Sequence, residues 1–131
     1  MKVAVDTNVL VRAVVRDDRA QADTAARLLR AANMVAVAVP CVCELVWVLR
    51  SVYGFSPADA AAAIRALLAA ANVEMNGPAV EAGLAVLEAG GDFADGAIAY
   101  EGRWLGADAF VSFDRKAVKM LTAQGQPARL L

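Results

Sequence analysis

Apolar residues recur at helical spacing along most of this chain, and short runs with no polar residue separate the helical stretches. Lys2 to Val5 is a short run rich in β-branched residues that ends at Asp6, which predicts a buried strand. Thr7 to Val15 then places Val9, Leu10, Ala13 and Val14 on one helical face, with Asp6 or Thr7 as its cap. Asp17 and Asp18 interrupt the pattern and open a second helix to about Ala32, with a stripe of Ala22, Ala25, Ala26, Leu28 and Leu29. Met34 to Val39 has no polar residue, the signature of a central strand covered on both faces. Pro40 suits the first turn of a helix over Cys41 to Tyr53, with Val42, Leu45, Val46, Leu49 and Val52 inward and Gly54 as its stop.

The second half continues in the same way. Ser56-Pro57-Ala58-Asp59 resembles a capping box and opens an Ala-rich helix to Ala71. A short strand at Val73 to Met75 precedes a helix over Pro78 to Ala89, which Gly90 and Gly91 end. Asp92 to Leu105 is the next helix, ended by Gly106. Ala109 to Phe113 reads as a buried strand, Arg115 to Gln124 as a last helix, and Arg129 to Leu131 as a short edge strand. Strands alternating with helices predict an α/β fold, with a mostly parallel sheet of four or five strands covered by helices on both faces. No linker or repeat divides the chain, so residues 1–131 are expected to form a single domain.

Composition changes this picture little. The chain has 131 residues, 60% of them hydrophobic and 21% charged, which is a folded globular composition. Alanine accounts for part of the apolar fraction, and a subunit interface that buries an apolar face accounts for the rest. No apolar run approaches the ~20 residues that span a bilayer. The first residues lack signal-peptide anatomy, because Asp6 arrives after only three apolar positions. A cytoplasmic protein without a membrane partner is the expectation.

Cys41 and Cys43 match neither a redox pair nor a zinc pair, and there is no histidine. Any chemistry must therefore run on carboxylates, hydroxyls, lysine or arginine rather than on a histidine base. Net charge is −1, a weak argument against a nucleic-acid partner. That argument weakens if four carboxylates hold metal, since 10 acids would then face 13 bases.

Ligands of open parallel sheets bind beyond the carboxyl ends of the strands. Asp6, Glu44, Asp95 and Asp114 all fall at such positions, and Asp92 lies three residues before Asp95 at the same helix end. Clustered carboxylates repel one another unless a cation is present. Hard oxygen donors without His or Cys favour Mg²⁺ or Mn²⁺ over zinc. Such an ion orients a phosphodiester and activates water, the chemistry of a phosphoryl hydrolase. Each acid also has a plainer reading: Asp6, Asp92 and Asp114 as helix caps, Asp95 as a dipole-compensating acid, and Glu44 as an exposed helix residue.

The segments VDTNVL, ELVWVL, DFADGAIAY and SFDRKA, in this order, resemble a PIN-domain ribonuclease, and within that family the toxin of the VapBC toxin–antitoxin type. The resemblance covers essentially the whole chain. It implies an α/β/α sandwich, a Mg²⁺- or Mn²⁺-dependent endoribonuclease acting on RNA, a homodimer, and a small antitoxin protein that blocks the site. Carried onto this sequence, it makes Asp6, Glu44, Asp95 and Asp114 the catalytic, metal-holding acids. Asp92, Thr7, Asn8 and Ser112 become supporting residues, with Ser112 standing where the family often has Thr. Gly96 departs from the helix former expected there and should loosen its helix by roughly 0.5–1 kcal/mol relative to Ala, unless close packing requires it.

Arg115 and Lys116 could bind flanking phosphates, or could be solvated helix charges. Arg12, Arg16 and Arg19 could line an RNA path or meet an antitoxin acid, but on short surface elements they are read as solvated. Trp47 and Tyr100 could stack on bases, but packing at a core or a dimer interface suits them better. A phosphatase of the haloacid-dehalogenase type needs a second acid where Asn8 stands, and a receiver domain needs a phosphoacceptor acid where Asn76 stands. The remaining alternative is a non-catalytic RNA- or protein-binding module on the same scaffold.

Overall fold

A computed structural model describes residues 1–131 as two compact units, Met1–Asn76 and Gly77–Leu131. Helices and strands alternate as the pattern predicts, and every strand pairing is parallel, placing the chain in the α/β class. Five strands form, three pairing in the first unit and two in the second.

In the first unit, β1 (Lys2–Ala4), β2 (Met34–Ala36) and β3 (Val73–Glu74) form a sheet in that order. Val35 pairs with Val3 on one side and Val73 on the other and is fully buried, as expected of a central strand. β1 pairs on one side only and is half-exposed, so the expectation of a buried first strand is corrected. Between the strands lie α1 (Thr7–Val15), α2 (Arg19–Ala31), α3 (Val39–Ser51) and α4 (Pro57–Ala69). Asn72 donates two side-chain hydrogen bonds, to the carbonyls of Leu29 at 2.7 Å and Ala32 at 3.1 Å. These satisfy free carbonyls at the end of α2 and tie it to the approach to β3.

α3 starts two residues earlier than its apolar pattern suggests, with Pro40 in its first turn as expected. Its buried residues are Val39, Cys41, Val42, Leu45, Val46 and Leu49. Val52 lies past the helix end and is 61% exposed, not inward as expected. On α1 the buried residues are Leu10 and Val11, and on α2 they are Ala22 and Ala25; Leu28 is exposed. Each helix buries a narrower stripe than its apolar residues would allow.

The second unit packs α5 (Gly77–Glu88) against α6 (Phe93–Trp104), followed by β4 (Phe110–Ser112), α7 (Arg115–Ala123) and β5 (Ala128–Leu130). Val86, Ala99 and Leu121 form a core among α5, α6 and α7, with Phe110, Met120 and Ala128 against it. β4 is shorter than expected and not buried throughout: Val111 is exposed, and Phe113 just beyond it is 79% exposed.

Gly96 has a steric explanation. A side chain there would fall on the carbonyl of Ala82 and within 2.9 Å of the Gly83 Cα. Gly83 in turn leaves room for the Phe93 ring, which a Cβ would meet at 2.6 Å. α5 and α6 therefore approach backbone to backbone through paired glycines, and close packing takes precedence over helix propensity. No helix is long and apolar enough to cross a membrane.

Candidate active site

The expected acids fall into two groups, one in each unit. In the first unit, Asp6 caps α1: its Oδ1 accepts the Val9 N–H at 3.3 Å. Thr7, the first helical residue, donates its hydroxyl to Glu44 Oε2 at 2.7 Å. That bond links the start of α1 to the second turn of α3 and turns Glu44 toward the end of β1. Glu44 is exposed, so no buried unpaired charge arises, and its carboxylate still has a defined partner.

Cys41 completes this group. Its Sγ lies 3.7 Å from Thr7 Oγ1 and 3.8 Å from the Val5 carbonyl oxygen. Burial raises its pKa most, the Thr7 hydroxyl lowers it in part, and the charges of Glu44 and Asp6 raise it further. The thiol therefore stays protonated at neutral pH and is a poor nucleophile. Sequence reasoning set Cys41 aside, although its spacing of three from Glu44 puts both on one helix face. Asn8 faces elsewhere: with Val9, Arg12, Gln21, Thr24 and Leu28 it lines a groove between α1 and α2.

In the second unit, Asp92, Asp95 and Asp114 line one cavity of about 210 Å³, together with Gly91, Lys116 and Met120. Asp92 caps α6 by accepting the Ala94 N–H at 3.1 Å, and Asp114 caps α7 by accepting the Ala117 N–H at 3.1 Å. Ser112 Oγ accepts the Asp114 N–H at 3.0 Å and so fixes the turn from β4 into α7. The capping roles are real, but they hold two carboxylates beside a third. Asp95, in the first turn of α6, is half-buried and makes no capping bond of its own.

The Asp95 carboxyl is pushed above the ordinary carboxylate range, first by burial, then by the charge of Asp92, then by that of Asp114. The surroundings of Asp95 thus disfavour its charged form, the condition a bound cation relieves. Lys116 is the cation lining this cavity, while Arg115 is exposed to solvent beside it. The donors are all carboxylate oxygens, which suits a hard divalent ion. In neither unit do three acids close into a ready metal cage.

Two arginines of the first unit are committed within it. Arg12 pairs with Asp17 at 3.1 Å and Arg16 with Asp23 at 2.5 Å, in keeping with their reading as surface charges. Trp47 is 62% exposed, which excludes the core as its place.

With this geometry in view, comparison with known families is informative. The PIN domain family matches residues 3–120, across both units. The chain belongs to the PIN domain family, whose members are generally nucleases. No curated protein matches the chain significantly.

Proposed function

We propose that this protein is an endoribonuclease that hydrolyses RNA phosphodiester bonds with the help of Mg²⁺ or Mn²⁺. The observation that carries the reading is the shared cavity of Asp92, Asp95 and Asp114, in which burial first, and then the charges of Asp92 and Asp114, raise the Asp95 pKa. Membership of a family of nuclease domains supports the reaction class. In this reading Asp6, Glu44, Asp95 and Asp114 hold the ion and carry catalysis, with Asp92 as a supporting acid. A divalent ion held there would supply polarisation of the phosphate, a lower pKa for water and stabilisation of the leaving oxygen. Glu44, oriented by Thr7, positions the attacking water. Lys116 and Arg115 take the flanking phosphates. With no histidine in the chain, proton transfer falls to these carboxylates.

The VapBC-like resemblance of the four segments supports a finer reading. The protein is the toxin of a type II pair, it works in the cytoplasm as a homodimer, and a small antitoxin blocks its site. The exposed apolar side chains Trp47, Ile98 and Leu105 leave surface for such partners.

The deciding experiment is cleavage of a labelled single-stranded RNA by the purified protein. Cleavage is expected with Mg²⁺ or Mn²⁺, to stop with chelator, and to be abolished in Asp95→Asn while its circular dichroism spectrum is unchanged. Equal cleavage by Asp95→Asn, or indifference to chelator, overturns the assignment. If no RNA is cut and millimolar Mg²⁺ leaves the melting temperature unmoved, the chain is a non-catalytic binding module.

A further inference from the structure

A second cavity in the Gly77–Leu131 unit, of about 320 Å³, is lined by Tyr100, Arg103, Trp104 and Gln126. Its size is within the range of small-ligand sites. Tyr100, Arg103 and Trp104 are spaced i, i+3 and i+4 at the end of α6 and so share one face of the helix. Gln126 reaches the cavity from the turn that leads into β5.

Three features of this cavity call for a ligand. Trp104 is 78% exposed, so its large aromatic surface is not explained by packing within the chain. Arg103 is exposed and belongs to neither of the surface ion pairs. The Gln126 side-chain oxygen is shielded from solvent and has no hydrogen-bond partner. An unpaired buried acceptor in a cavity wall is unusual, and a ligand N–H reaches it once the amide turns about its last torsion.

The geometry points to a subsite for one unpaired nucleotide of an RNA substrate, built from Tyr100, Arg103, Trp104 and Gln126. The base stacks on the aromatic pair, the Gln126 amide hydrogen-bonds to the base edge, and Arg103 meets the adjoining phosphate. Stacking platforms with an adjacent cation are the general means of holding single-stranded nucleic acid. A free amide adds base preference to the stack. This inference deepens the ribonuclease reading and rests on it for the identity of the polymer.

The test uses Trp47→Phe protein, which leaves Trp104 as its single tryptophan, in chelator so that no cleavage occurs. A mixed-sequence single-stranded oligoribonucleotide should quench Trp104 fluorescence, and the same RNA as a duplex should not. Arg103→Ala should weaken the titration and make it less dependent on salt, while Gln126→Leu should flatten the preference among homopolymers. In the otherwise unaltered protein, Trp104→Ala should raise KM for RNA cleavage roughly 5- to 100-fold with little change in kcat, the scale of one stacked base.

An unchanged KM in Trp104→Ala, with Asp95→Asn still inactive, overturns the subsite and leaves the nuclease intact. Quenching by RNA in a protein that cuts nothing upholds the subsite and overturns the nuclease. If Trp104→Ala instead converts a dimer to monomers without altering RNA affinity, the face seats a second copy and the subsite is refuted.

Discussion

The hydroxyl of Thr7 donates to Oε2 of Glu44 at 2.7 Å, joining residues 37 positions apart. Thr7 has one proton to give, and the sulfur of Cys41 at 3.7 Å is the weaker claimant. Glu44 is thereby held by a residue adjacent to Asp6, on a helix that Asp6 itself caps. The orientation of one proposed catalytic acid depends on the local geometry around another.

Replacing Thr7 by Val keeps the shape and removes the donor. Loss of a hydrogen bond to a charged group at this exposed position is worth about 1.5 kcal/mol, so RNA cleavage should fall about tenfold. Thr7→Ser should retain most activity. Steady-state cleavage rates at saturating Mg²⁺ compare the two, and equal rates for Val and Thr would show that Glu44 needs no such support.

Asp95 binds its proton more tightly in the folded protein than in the unfolded chain, because its carboxyl is raised by burial and by Asp92 and Asp114. The metal-free fold therefore loses stability as pH rises from the ordinary carboxylate value through the raised one, and the loss persists above it. Asp95→Asn removes that slope. The variant should melt higher than wild type near neutral pH in chelator, with the gap closing in acid. Adding Mg²⁺ should raise the wild-type melting temperature and leave the variant unmoved. A gap between the two proteins that stays constant across the pH series counts against a strained Asp95.

Gly96→Ala should lower stability despite the better helix propensity of alanine. The new methyl meets the Ala82 carbonyl and the Gly83 backbone, which cannot turn aside as a side chain could. Overpacking of this kind costs about 1–3 kcal/mol net, readable as a lower denaturant midpoint with an unchanged slope. A stabilised Gly96→Ala protein would mean that α5 and α6 are less tightly apposed.

Tyr53 donates to Asp17 Oδ2 at 2.9 Å, and Asp17 also pairs with Arg12. The hydroxyl of Tyr53 is the main cause that lowers the Asp17 pKa, and the same bond is the main cause that raises that of Tyr53. The Asp17 contribution is present above the ordinary carboxylate value and is lost as pH falls through the lowered one. The Tyr53 contribution is present below the ordinary phenol value and is lost as pH rises through the raised one. In Tyr53→Phe, the Asp17 pKa measured by NMR should move back toward the ordinary range. An unmoved Asp17 would assign its shift to Arg12 instead.

Much of the fold was legible because its signals are local. A cap at Asp6, Asp18, Ser56, Asp92 or Asp114 needs only a short polar side chain ahead of a helical pattern, and all five accept the expected backbone N–H. Exposure was read less well. Val52 and Phe113 look like core residues by composition, yet each lies just past the end of its element and is left outside. Periodicity marks a face, but not how much of that face another segment reaches.

From the sequence alone came the order of helices and strands, the parallel α/β class, and the candidate acids. Spacing, capping and turn chemistry act over a few residues and need no knowledge of what packs where. Tertiary structure alone decided that Thr7 holds Glu44, that Asp114 shares a cavity with Asp92 and Asp95, that Gly96 admits a neighbouring backbone, and that Gln126 closes a pocket with Tyr100 and Trp104. Each of these joins segments distant in sequence, and their meeting depends on how the elements pack, which no local pattern encodes.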